Sequence, residues 1–190
     1  LNIVLVDHLG DIVDYSEQIQ WTRARPALDL LSQNNIAIGI STGNHDYNAI
    51  NANTGPADLF DKNFPATNAI ALANGLGIAS YQQYSWYGGY MGGTNDVVTA
   101  DDNNYTNRQW KNNYVLFSAG GMDFINIALE YNLPFESRQW LNDVLNAFPN
   151  RRAIISTHQF LNDNNTVSSQ GSIQGVLSVV LAQHCNVFLI

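Results

Sequence analysis

Residues 2–40 constrain the fold more than any other part of the chain. "NIVLV" (2–6) and "IAIGI" (36–40) are short apolar runs with β-branched residues, each of strand length. Between them Trp21, Ala24, Leu28 and Leu31 recur three or four residues apart, the spacing of one helix face. Strand, helix and strand in that order make a βαβ unit, whose crossover obliges the two strands to run parallel. Pro26 falls inside the helical pattern and predicts either a break or a helix whose first turn starts there.

Order returns after an irregular stretch, roughly 47–113, rich in Asn, Gly, Tyr and Asp. "NYVLFSA" (113–119) and "DFINIALE" (123–130) read as strands joined by "GG" at 120–121, the signature of a hairpin. A helix is predicted from Pro134 or Ser137, with Leu141, Val144, Leu145 and Phe148 on one face. "AIIST" (153–157) is a strand, 171–184 a helix and "NVFLI" (186–190) the last strand. This order predicts an α/β or α+β layered domain with a mixed sheet, one domain over 1–190 and no internal repeat. Both ends read as strands, so the chain is expected to be cut at each end, with any targeting segment outside it.

Composition narrows the function classes. With 45% hydrophobic and 13% charged residues the chain is not a disordered one. Sixteen acids against eight bases give a net charge of −8, which argues against a nucleic-acid platform because phosphates are repelled on average. A small phosphate substrate stays open, since bound metal ions invert the local field. No apolar run reaches the length of a membrane span. The single cysteine, Cys185, forbids an intrachain disulfide and is neutral on compartment.

Polar residues collect where α/β sheets place function, beyond the carboxyl ends of strands. "DHLGDIVD" (7–14) follows the first strand, "STGNHD" (41–46) the second, and His158 follows "AIIST". If those strands are parallel neighbours, Asp11, Asn44, His45 and His158 converge on one rim. A carboxylate, an amide oxygen and imidazoles form a shell suited to zinc, manganese or iron.

"GDIVD" (10–14) followed by "GNHD" (43–46) resembles the calcineurin-like metallophosphoesterases, whose core carries GDxxD and GNH[DE] on successive strand ends. The segment from "SAGGMDFINIALEYN" to "AIISTHQFL" is similar to the extracellular bacterial branch of that family. The resemblance covers most of the chain and is weakest over 50–110. It implies a four-layer α/β/β/α sandwich and two divalent metal ions. Asp11 would bridge the two metals, and Asn44 and His158 would ligate the second. His45 would give a proton to the leaving group, and Asp14 would orient the His45 ring through a hydrogen bond. The implied reaction is hydrolysis of a phosphate mono- or diester by a metal-bridging hydroxide, on a small-molecule substrate, in a secreted or cell-surface bacterial enzyme. The family's DxH and GHxH motifs are expected outside the chain, before Leu1 and after Ile190. The 190 residues are therefore expected to bind two metals poorly by themselves. Two rival readings are a cell-surface binding module that keeps the fold without catalysis, and a different metallohydrolase.

Other polar and aromatic residues have plainer readings. His8 is expected in a supporting or solvent-facing role. His184 favours the dipole at a helix end, and Cys185 is expected to be buried packing. Tyr84, Trp86, Tyr87 and Tyr90 either line a cleft beside the metals or pack a loop onto the sheet. Asp96, Asp101 and Asp102 match no EF-hand spacing and read as a solvated loop.

Overall fold

The computed structural model describes residues 2–49, 56–93, 105–169 and 173–190. The chain is a mixed α/β domain. Strand β1 (Leu5–His8), helix α1 (Gln18–Gln33) and strand β2 (Ala37–Ile40) form the predicted βαβ unit. β1 and β2 pair in parallel from Leu5 opposite Ala37 to His8 opposite Ile40. β1 starts three residues later than expected and contains Asp7. A carboxylate reads as a strand end, but here Asn126 Nδ2 and Ser156 Oγ donate to it at 2.8 and 3.0 Å, so it is paired inside the strand.

Pro26 neither breaks nor starts α1. It is solvent-exposed, while Trp21, Arg25, Leu28 and Ser32 are buried on either side of it. Burial of that face holds the helix through the missing amide. Trp21 meets Phe60 and Phe64 edge-on, and the Arg25 guanidinium lies 4.5 Å from the Tyr81 ring centroid.

Short elements occupy the irregular stretch: α2 (Asp58–Asn63), α3 (Asn68–Asn74) and strand β3 (Tyr87–Tyr90). β4 (Asn113–Ala119) and β5 (Met122–Leu129) form the hairpin. Gly120 and Gly121 both have positive φ, 56° and 76°, which a two-residue turn of this hand requires. α4 (Phe135–Ala147), β6 (Arg152–Thr157), α5 (Ile173–Gln183) and β7 (Val187–Leu189) complete the chain. The second sheet runs β3-β4-β5-β6-β7, antiparallel as far as β5 and parallel from β5 to β7.

The two sheets face each other. Ile38 and Ile40 of β2 pack with Trp21 and Leu28 of α1, whereas Gly39 between them faces Asn126 of β5. A Cβ at Gly39 would sit 2.9 Å from Asn126 Cγ and 2.8 Å from Asp7 Oδ1, so only glycine allows this approach. The opposite face of the larger sheet carries Ile125, Ile127, Leu129, Ala153 and Ile155, covered by Trp140, Leu141, Val144 and Leu145 of α4 and by Ile173 and Val176 of α5. Among the described residues no helix is long and apolar enough to cross a membrane.

Tyr84, Trp86, Tyr87 and Tyr90 resolve as packing. Trp86 and Tyr90 are buried, Tyr84 stacks on Trp86, and Tyr87 stacks on Trp110. Asp96, Asp101 and Asp102 lie outside the described residues. Cys185 is exposed rather than buried, because it stands just past the end of α5. His184 is the buried residue of that pair, and its Nε2 lies 2.8 Å from Asn142 Oδ1 on α4.

Candidate functional site

The loops after β1 and β2 touch through their glycines. A Cβ at Gly10 (φ 92°) would lie 2.7 Å from Gly43 Cα. One at Gly43 would run into the backbone nitrogen and Oδ1 of Asp11 and lie 2.8 Å from its Cγ. The glycines of "GDIVD" and "GNHD" therefore remove the side chains that would keep the two loops apart. Asp11 itself sits at φ 51°, in the left-handed region.

Asp46 ties the loops together. Its side chain is buried, and it accepts from the Ile12 and Val13 amides at 2.9 and 3.3 Å and from the Gly43 amide at 2.8 Å. Burial pushes its carboxyl up to about 6, against the downward pull of those three amides. Asp11 Oδ1 accepts from the His45 amide at 3.0 Å, closing the junction.

His158 enters from β6 in the facing sheet, so the expected convergence occurs across the two sheets and not along one. Its Nδ1 lies 2.7 Å from the Leu9 carbonyl. A carbonyl only accepts, so Nδ1 carries the hydrogen and the Nε2 of the neutral ring presents a lone pair. Facing that nitrogen are Asn44 Oδ1 at 3.0 Å and Asp11 Oδ2 at 3.4 Å. A carboxylate oxygen and an amide oxygen thus both approach the lone pair of one imidazole nitrogen. A proton on Nε2 or a cation between the three resolves the conflict. Among the described residues no group of three His, Cys, Asp or Glu side chains is gathered for a metal. This set holds two such groups and an amide, and its donor chemistry fits a partial shell for zinc, manganese or iron.

His45 is partly exposed beside this point. Its Nδ1 lies 2.6 Å from the main-chain carbonyl of Asp14, whereas the Asp14 carboxylate stands 3.6 Å away and is largely exposed. The expected partner of the ring is the Asp14 side chain; at hydrogen-bond distance stands the Asp14 carbonyl, which the 10–14 turn points at the ring. The carbonyl bond raises the His45 pKa, opposed by slight desolvation and helped by Asp11, Asp14 and Asp46. His8 is half-buried, accepts from the Gly10 amide at 3.3 Å, and has its pKa lowered by burial. It supports the turn that carries Asp11.

Sequence reasoning missed the residues behind the site. Thr42, Tyr47, Glu130 and Tyr131 are buried, and the edge of the Tyr131 ring meets His158 at 5.8 Å. Asp46 lay within the motif, but its role depends on amides more than thirty residues away in sequence. Glu130 carried one signal, an acid directly after the apolar end of a strand.

Comparison with known proteins gives a partial relative. The chain is 31% identical over 169 residues to the Bacillus subtilis (strain 168) protein described as "Uncharacterized protein YvnB". The alignment covers 85% of this chain and 10% of that protein, so the chain spans about a tenth of the relative's length. No family model matches the chain, and no solved structure matches it.

Proposed function

We propose that the chain is the central part of a metal-dependent phosphoesterase, a hydrolase of phosphate mono- or diesters. The observation that carries this reading is that Asn44 Oδ1 and Asp11 Oδ2 stand 3.0 and 3.4 Å from His158 Nε2. The order of "GDIVD" and "GNHD" along the chain supports it, as does the stacking of α1, two facing sheets and α4 with α5, which suits a four-layer α/β/β/α sandwich.

In this reading Asp11, Asn44 and His158 hold part of a divalent metal site. A divalent cation bound there supplies Lewis acidity, lowering the pKa of water and offsetting charge on phosphoryl oxygens. The chain's own residues prepare that point. Asp46 locks the two loops, the Leu9 carbonyl fixes the His158 tautomer, and the Asp14 carbonyl fixes that of His45. With Nδ1 occupied, His45 Nε2 is the nitrogen that exchanges a proton. Its pKa is raised, which favours the protonated form that a donor to a leaving alkoxide needs. The resemblance to the extracellular branch supports a secreted or cell-surface location.

The test is hydrolysis of bis-p-nitrophenyl phosphate and p-nitrophenyl phosphate with and without Mn²⁺, by the natural protein containing this chain and by its His45→Ala variant. The reading expects Mn²⁺-dependent turnover that falls about 10²–10⁴-fold in the variant. Metal-independent turnover, or none, would refute it, and none would favour a binding module.

A further inference from the structure

The loop 42–47 carries Asn44 and His45, and Glu130 and Tyr131 stand behind it. β5 ends at Leu129, and the next two residues, Glu130 and Tyr131, reach both halves of the site. The Tyr131 amide donates to Thr42 O and lies equally close, 3.1 Å, to Thr42 Oγ1, pinning the start of the loop. The Tyr47 hydroxyl lies 3.2 Å from Glu130 Oε2 and 3.3 Å from the Tyr131 carbonyl, pinning its end. Thr42 Oγ1 and Tyr47 OH are 3.2 Å apart, which closes the ring of contacts. On its other side Tyr131 packs edge-on against His158.

Glu130 is held in turn. It is 1% exposed, and a bare carboxylate there would be costly. Arg108 meets it through Nε at 2.8 Å and through Nη2, a two-pronged pair. Asn112 donates to Oε1 at 2.6 Å and accepts from the Glu130 amide at 2.9 Å. Every carboxylate contact is thus directed, and the group has little freedom to rotate.

We propose that the Glu130–Tyr131 step, clamped by Arg108 and Asn112, is the positioning element that sets the separation of Asn44 and His158. The two groups come from different sheets, and this step holds both ends of the loop that carries Asn44 and meets His158 through the Tyr131 ring. Its consequence for catalysis rests on the phosphoesterase reading. The positioning itself does not, and it is measurable without turnover.

The test uses Tyr47→Phe and Glu130→Gln in the natural protein containing this chain, with Asp61→Asn as a control. Asp61 pairs with Lys111 at 2.6 Å, a neighbouring ion pair that meets Arg108 and Glu130 through their charges. Two readouts apply: the imidazole ¹⁵N and ¹H NMR signals of His45 and His158 in metal-free protein, and the Mn²⁺ concentration that half-broadens them. Supporting partners of metal ligands are worth about 10–100-fold in affinity. Tyr47→Phe and Glu130→Gln are expected to shift the His158 signals and raise the Mn²⁺ midpoint about tenfold. Asp61→Asn is expected to lower the melting temperature and to move both readouts less than either of the other two variants. The proposal is overturned if Tyr47→Phe folds and leaves the ring signals and midpoint as in the parent, or if Asp61→Asn moves them equally. Should Glu130→Gln fail to fold, Tyr47→Phe decides. Should Mn²⁺ broaden nothing in the parent, the metal reading fails while the metal-free ring signals still decide the positioning.

Discussion

Gly43→Ala tests the loop junction that builds the site. The added methyl would enter the space of the Asp11 backbone nitrogen and Oδ1 and lie 2.8 Å from its Cγ. Backbone on one side and a tethered carboxylate on the other leave no flexible chain end to swing away, so the loops must part. Among the hydrogen bonds that span the contact are His45 N to Asp11 Oδ1 at 3.0 Å and Ile12 N to Asp46 Oδ1 at 2.9 Å. Bonds to charged groups contribute about 1.5–3 kcal/mol each, so losing both costs about 3–6 kcal/mol before relaxation. Taking the lower end, and about 2–4 °C per kcal/mol for a chain of this size, the melting temperature should fall by roughly 6–12 °C. Differential scanning calorimetry of the two proteins measures this. A drop below about 2 °C with unchanged His45 NMR signals would refute the reasoning, because the loops would then not meet through Gly43.

Three further predictions follow from the same geometry. Asp46 has a folded pKa of about 6 against an ordinary 3.8, so the folded state holds its proton more tightly. The cost of its buried charge is absent below about pH 4 and complete above about pH 6, about 3 kcal/mol at about 1.4 kcal/mol per pH unit. Urea midpoints should therefore decline between pH 4 and 6 in the parent relative to Asp46→Asn, and parallel curves would contradict this. Asp14→Ala should lower bis-p-nitrophenyl phosphate turnover less than about threefold, because the main-chain carbonyl remains. A loss above tenfold would return the orienting role to the carboxylate. The alkaline limb of the pH–rate profile should lie above the ordinary histidine value of 6.5, since His45 is raised and its protonated form is the active one. A limb below 6.5 would argue against His45 as the acid.

Much of the fold was legible because its signals are local. The βαβ unit, the Gly-Gly hairpin and the helices at 135–147 and 173–183 each announce themselves through periodicity or turn chemistry. The misreadings share one cause, tertiary contacts that override local preference. Asp7 sits inside a strand because Asn126 and Ser156 donate to it from the other sheet. Pro26 stays inside a helix because the buried face continues past it. The aromatics of 81–90 fill a core with Trp110, which lies far along the sequence.

The site divides in the same way. The sequence by itself determined which groups are available: two glycines flanked by Asp11 and by Asn44, His45 and Asp46, and a histidine directly after an apolar strand. It also determined that these stand at strand ends, since hydrophobic period and polar interruption are properties of neighbouring residues. Only the tertiary structure decided that Asp46 faces three amides instead of solvent, and that the Asp14 carbonyl holds His45. It alone brought Glu130 and Tyr131 behind the loop. Those are directional contacts across large sequence separations, and their direction exists only once two sheets have packed face to face.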